Sequence, residues 1–380
     1  MILRPNRRRP RTHKGAALAL LLALLLVMPS WAGAEKLDSG AAEQEREKTT
    51  LMFVSDYQHK DGWKDPPETL SALLDALEKA DVHPDNAVIC GDYSTFHGKN
   101  NHNGNPKSAI GKIKHIFIAH NKDWKAEQMI FVQGNHDKKT KDISAPGLHE
   151  FDEYLVYVLN DETEYPSAQG PKKRKGIVQA GAKRLEKYLK KLVKRGESRP
   201  VFLAAHVPLH FTGRTARRGD NIYAEILFKV ISKYGTKLNL VYLYGHNHDD
   251  GWDSYMGGSC CFRAPGDSLL IPKVKGKKKR TKSYVKRMLN FTYLNAGYTG
   301  YFAKGSGESA LTCTVCTIEE KTLTFQRYAE NGPHLLSGKG TPNKAVNDKK
   351  LIPKQYYGRK RTGSFRLKRR KIRQRAGSVE

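Results

Sequence analysis

Five short apolar runs punctuate the chain before residue 250, and each stops at a polar residue. Leu51-Met52-Phe53-Val54 precedes Asp56, Ala87-Val88-Ile89-Cys90 precedes Asp92, and Met129-Ile130-Phe131-Val132 precedes Asn135. Val201-Phe202-Leu203-Ala204-Ala205 runs into His206, and Leu240-Val241-Tyr242-Leu243-Tyr244 leads to His246 and His248. The runs are continuously apolar, not alternating, which is the pattern of strands buried on both faces. Between them the spacing becomes helical: Leu70, Leu73, Leu74 and Leu77 form a stripe within 67–80, and 180–193 and 222–234 read the same way. Strands alternating with helices predict an α/β sheet. In such sheets ligand-contacting side chains gather beyond the carboxyl ends of the strands, where all five polar stops fall.

Past His248 the pattern turns β-rich. Strands are predicted over 289–294, 311–318 and 322–327, the last two separated by Glu319-Glu320-Lys321, and they imply a second sheet layer. At the other end, six basic residues from Arg4 to Lys14 precede an apolar run from Ala16 to Met28, then Pro29 and Ala32-Gly33-Ala34. This reads as a signal peptide over 1–34, because the run is shorter than the ~20 residues a spanning helix needs. A secreted or periplasmic protein, cleaved near Ala34, is expected. Residues 35–49 read as a flexible lead-in, 50–330 as one folded domain, and 331–380 as a basic, disordered tail.

A chain of 380 residues with 38% hydrophobic content can bury one large core and still carry such extensions. Its net charge is +29, and removing the six basic residues of the leader leaves +23. That excess favours polyanionic partners: nucleic acid, anionic lipid headgroups or acidic polymers. The basic clusters at 172–175, 277–280 and 366–375 fall between or beyond the apolar segments and read as surface loops and a tail, for which a purely solvated role is the alternative. Of the five cysteines, Cys90 sits within a strand-like run and is the expected free thiol. Cys313 and Cys316 lie in an alternating strand, on opposite faces, so a redox pair is not expected; any disulfide would join the 260/261 segment to the 313/316 segment.

The strand ends supply carboxylate, amide and imidazole donors, the set that a pair of hard or borderline cations requires. The order Asp56, Gly91-Asp92, Gly134-Asn135-His136-Asp137, His206 and Gly245-His246-Asn247-His248 resembles the calcineurin-like metallophosphoesterase superfamily over roughly residues 50–250. The resemblance implies a four-layer α/β/β/α sandwich and a phosphoric ester hydrolase with two metal ions, of manganese, iron or zinc. It implies that Asp92 bridges the metals, that Asp56 and His248 ligate one, and that Asn135, His206 and His246 ligate the other. It further implies in-line attack on phosphorus by a hydroxide held between the metals, with His136 as the catalytic group at the leaving oxygen.

Two positions depart from the family pattern. The first motif is usually Asp-x-His, and here it is Asp56-Tyr57-Gln58, with His59 one residue late. Gln58 offers an amide oxygen as the first-metal ligand, while His59 reaching in through a local turn is the other reading. Thr95 stands where purple acid phosphatases would place the tyrosine that binds iron, which lowers that branch. The substrate is a phosphate ester of unspecified kind. A phosphodiesterase or nuclease on a polyanion, or a polyanion-binding protein whose metal site has decayed, are the alternatives. Arg214, Arg217 and Arg218 follow His206 closely and are candidates to meet an anionic leaving group.

Overall fold

Strands that are apolar on both faces need cover on both sides, and here a second sheet supplies one cover and helices the other. The structure, a computed structural model, describes residues 48–58, 65–94, 96–97, 102–103, 106–167, 171–247, 262–274, 280–300, 311–319, 322–329, 332–334 and 362–366. Its strands are β1 (Thr49–Val54), β2 (Asn86–Ile89), β3 (Phe96–His97), β4 (His102–Asn103), β5 (Met129–Phe131), β6 (Gly147–Glu150), β7 (Leu155–Leu159), β8 (Pro200–Ala205) and β9 (Asn239–Tyr244). They continue with β10 (Phe262–Arg263), β11 (Ser268–Pro272), β12 (Tyr284–Met288), β13 (Thr292–Asn295), β14 (Gly297–Tyr298), β15 (Thr312–Glu319), β16 (Thr322–Ala329), β17 (Gly332–His334) and β18 (Thr362–Arg366). The α-helices are α1 (Asp65–Lys79), α2 (Pro106–His120), α3 (Pro171–Lys194), α4 (Gly213–Arg217) and α5 (Ala224–Gly235).

One large sheet runs β17-β16-β15-β1-β2-β5, with β14 also on β15 and β18 also on β16; the other runs β10-β13-β9-β8-β7-β6. β1, β2 and β5 are parallel to one another, as are β7, β8, β9 and β13. The inner faces pack together through Phe53, Val88, Ile130, Val158, Phe202 and Leu243. The outer face of the first sheet is covered by α1 and α2, whose Leu70, Leu73, Leu77, Ile113 and Phe117 join Met52 and Ile89. The outer face of the second is covered by α3 and α5 through Leu185, Leu189, Leu227 and Ile231 against Leu203 and Tyr242. Each such aliphatic side chain stabilises the fold by about 1.5–3 kcal/mol relative to exposure. The result is the expected α/β/β/α sandwich, and it brings the carboxyl ends of β1, β2 and β5 to the same margin as those of β8 and β9.

Several local expectations need correction. The basic cluster at 172–175 is the first turn of α3, not a loop, and Arg174 is buried. β7 and α2 were not predicted. β7 carries a run as apolar as the other five. In α2 the buried stripe Ala109, Ile110, Ile113, Phe117 is interrupted by Gly111 and several lysines, which blur its period. The segment 331–380 is not wholly outside the sheet, because β17 and β18 both pair antiparallel with β16, whose outer edge would otherwise lack backbone partners. Cys313 and Cys316 are free and buried, as is Cys90, so they form no disulfide; Cys260 and Cys261 lie outside the described residues. Cys313 faces α1 and α2 while Cys316 faces the opposite sheet, the alternation that a strand imposes.

Candidate metal centre

The chain bends sharply as it leaves the strands. Asp56, Gln58, Asp92 and His246 all take left-handed backbone conformations, with φ of 55°, 48°, 58° and 68°. Such conformations are uncommon outside glycine and mark sites where the surrounding structure dictates the geometry. The loops hold one another in place: Asp56 N donates to Gly91 O and Gln58 N to Asp92 O, each at 2.9 Å. Two motif glycines leave room for this crowding. A Cβ at Gly134 would lie 2.3 Å from Asp92 N and Oδ1, and one at Gly245 would lie 1.7 Å from Ser55 Oγ.

Asp137 organises the turn from beneath. Its carboxylate accepts the backbone N–H groups of Asp92 at 2.8 Å and of Tyr93 and Gly134 at 2.9 Å each. Asp92, so fixed, accepts the backbone N–H of His136 on Oδ1 at 2.9 Å. Asp56 Oδ2 accepts from Ser55 Oγ and, across the two sheets, from the backbone N–H of His246, each at 2.8 Å.

On the six-stranded side, His206 Nδ1 lies 2.7 Å from Cys90 O, a bond in which the imidazole donates and which leaves Nε2 pointing at the centre. That Nε2 is 3.1 Å from Asp92 Oδ2, 3.1 Å from Asn135 Oδ1 and 3.2 Å from His246 Nδ1. Donor atoms at about 2.0–2.1 Å from a common divalent cation are separated by roughly 2.9–3.4 Å along the edges of a coordination polyhedron. These separations therefore suit one cation held by Asp92, Asn135, His206 and His246. The donor atoms of Asp92, His206 and His246 also converge within 4.8 Å of one another, and all three residues are buried. Of the other residues expected to hold a cation, Asp56 and Gln58 are described and lie beside Asp92, while His248, His59 and Thr95 lie outside the described residues.

The electrostatics carry the same message. Burial would raise the pKa of Asp92, yet His206, His136 and His246 more than reverse this and hold its carboxyl well below the usual range. Burial likewise works against charge on His206, but Asp92 and Asp56 push it up to about 10. The carboxylates that favour a proton on His206 would also attract a metal cation, which would take that proton's place. His246 goes the other way, down to about 4, through burial and the neighbouring Arg214 guanidinium. Burial and Asp92 push Asp137 up to about 7 despite its backbone bonds.

The sequence model of calcineurin-like phosphoesterases matches residues 49–250, more than half of the chain. The chain belongs to the calcineurin-like phosphoesterase family. Its structure is similar to a purple acid phosphatase from yellow lupin (Lupinus luteus) seeds at 12% identity and a TM-score of 0.45, covering 78% of this chain and 53% of that one. The chain thus spans about half the length of the lupin protein. It is also similar to a single mutant of Vps29 from Entamoeba histolytica, at 11% identity, a TM-score of 0.30 and coverage of 74% and 92%. Vacuolar protein sorting 29 from Cryptosporidium parvum matches at 9% identity and a TM-score of 0.32, covering 76% and 95%. No curated protein sequence matches the chain. The family assignment rests on the sequence match.

Against the family pattern, the strand-end residues that were singled out and are described, Asp56, Asp92, Asn135, His136, His206 and His246, meet at one margin, and Gln58 is tied to Asp92 through its backbone. His136 Nε2 stands 3.7 Å from Asp92 Oδ2 and is 23% exposed, whereas Asp92 is 2% and His206 0% exposed. His210 is turned away into the core, its Nδ1 2.8 Å from Tyr293 Oη. Arg214 is not a surface arginine: α4, capped by the Thr212 hydroxyl accepting from Thr215 N at 3.1 Å, brings its Nη1 to 3.2 Å from His246 Nε2. Asp220, whose Oδ2 is 3.1 Å from His246 Nε2, has no signal in the sequence beyond being an acid after Gly219.

Proposed function

We propose that the protein is an exported, metal-dependent phosphoric ester hydrolase. The observation that carries this reading is the convergence of Asp92 with His206 and His246, donor atoms within 4.8 Å, at a margin where Asp56 and Asn135 also end their strands. In this reading Asp92 is shared by two cations; Asn135, His206 and His246 hold one, and Asp56, Gln58 and His248 the other. When bound, such cations lower the pKa of water to near neutrality and stabilise charge on phosphoryl oxygens.

The chain's own residues do the rest. Asp137 fixes the loops around Asp92 by accepting the backbone N–H groups of Asp92, Tyr93 and Gly134, and Cys90 O fixes the ring of His206. His136, more exposed than the buried donors and adjacent to Asp92, is the group that delivers a proton to the departing ester oxygen. The apolar run ending before Ala34 supports export.

Elemental analysis of the purified mature chain, combined with turnover of p-nitrophenyl phosphate and bis-p-nitrophenyl phosphate, tests the reading. Stoichiometric Mn, Fe or Zn with chelator-sensitive hydrolysis is the expected result, and the ratio of the two rates separates monoesterase from diesterase. Salt-sensitive polyanion binding without metal-dependent hydrolysis of either ester would replace this reading with that of a binding protein.

A further inference from the structure

We propose that Asp220 is a positioning residue that selects the tautomer in which His246 can ligate a cation, and that Arg174 on α3 holds Asp220 in place. The proposal rests on the metal-centre reading above, but it concerns a proton that His246 carries with or without metal.

A neutral imidazole has one N–H and one lone pair. In His246, Nδ1 faces the centre, 3.2 Å from His206 Nε2. Nε2 faces away and meets two groups, Asp220 Oδ2 at 3.1 Å and Arg214 Nη1 at 3.2 Å. A carboxylate only accepts hydrogen bonds and a guanidinium only donates them, so the two neighbours ask opposite things of that nitrogen. With Asp220 as partner, the hydrogen sits on Nε2 and the Nδ1 lone pair is presented toward Asp92 and His206. With Arg214 as partner, the hydrogen moves to Nδ1 and that ligand is lost. Asp220 is the nearer of the two, 3.1 Å against 3.2 Å, and its carboxylate accepts an imidazole N–H in a charge-assisted bond.

Asp220 is held from the far side. Arg174 is buried in the first turn of α3 and donates Nη1 to Gly219 O and, at 3.3 Å, to Asp220 O. Gly219 has φ of 76°, the turn that aims the following carboxylate at His246. A connected path therefore runs from α3 through Arg174 and the 219–220 backbone to the imidazole. Carboxylate partners of metal-binding histidines typically change metal affinity by ~10–100-fold.

The test uses the 15N-labelled, metal-free mature chain and reads the His246 ring nitrogens by long-range 1H–15N correlation, followed by calorimetric titration with Mn2+. Wild type and Arg214→Met are expected to carry the hydrogen on Nε2. Asp220→Ala shifts it toward Nδ1 and weakens Mn2+ binding by ~10–100-fold at unchanged circular dichroism, and Asp220→Glu recovers part of both. Arg174→Met falls between wild type and Asp220→Ala. Should Asp220→Ala fail to fold, Asp220→Leu, which likewise offers no acceptor, gives the same comparison. An unaltered tautomer and Mn2+ affinity on loss of the carboxylate overturns the role of Asp220, and wild-type behaviour of Arg174→Met overturns the link to α3. If wild type itself binds none of Mn2+, Fe2+ and Zn2+, the metal-centre reading fails while the tautomer comparison still decides what Asp220 does.

Discussion

The two sheets contribute unlike halves to the candidate centre. The eight-stranded sheet sends oxygen donors, Asp56, Asp92 and Asn135, from loops whose geometry is set by the backbone: positive φ at Asp56 and Asp92, carbonyl bonds between neighbouring loops and glycines in close contact. The six-stranded sheet sends imidazoles; His246 shares the positive φ and follows a crowded glycine, but each ring also has a partner on its far nitrogen, Cys90 O for His206 and Asp220 for His246. A carboxylate on a short stem follows its backbone, whereas a ring with two distinct nitrogens must also have its tautomer chosen. The oxygen half should therefore respond to changes in loop packing, and the nitrogen half to changes in partners.

The largest effect is expected at Asp92, the carboxylate we propose to be shared by two cations. Asp92→Ala should remove bound metal and lower turnover at saturating substrate by at least ~10³-fold, as the loss of several kcal/mol of charge stabilisation requires; retained turnover in a steady-state assay would break the shared-ligand picture. His136→Ala should lower kcat by ~10²–10⁴-fold for esters with poor leaving groups and less for nitrophenyl esters, with metal content by elemental analysis unchanged.

Gly134→Ala probes the oxygen half through packing. Its added Cβ meets Asp92 at 2.3 Å, so a loss of about 1–3 kcal/mol is expected in urea unfolding. Gly111→Ala, on α2 with nothing within 4 Å of the new Cβ, should instead be neutral or gain up to about 1 kcal/mol. Similar losses at both positions would remove the distinction. The smallest effect is expected of Gln58→His, which supplies the family's imidazole: higher occupancy of the Asp56-side cation at limiting metal, read by elemental analysis, with little change in stability.

Much of this was legible in the chain because strand ends are written twice, once in an apolar run and once in the polar residue that follows it. Asp56, Asp92, Asn135, His206 and His246 stand out that way, whereas the layer order comes from the family resemblance, with which strands that need cover on both faces agree. Arg174 was misread because a basic cluster looks the same whether it caps a loop or starts a helix, and only the packing of α3 buries one of its members. Asp220 escaped notice because its partner His246 lies 26 residues away and no apolar run precedes it. Arg214 is legible as a candidate for an anionic ligand, but nothing local to it reports that α4 brings it to His246.

The strand at Thr362–Arg366 closes the margin of β16 along Thr322–Gln326. Shortening the chain at residue 330 would strip that margin and leave a row of outward-facing amides and carbonyls with nothing but water or another molecule to satisfy them. A truncated phosphoesterase made for crystallisation would then tend to associate edge to edge, and ending it after Arg366 instead would keep the seam sealed.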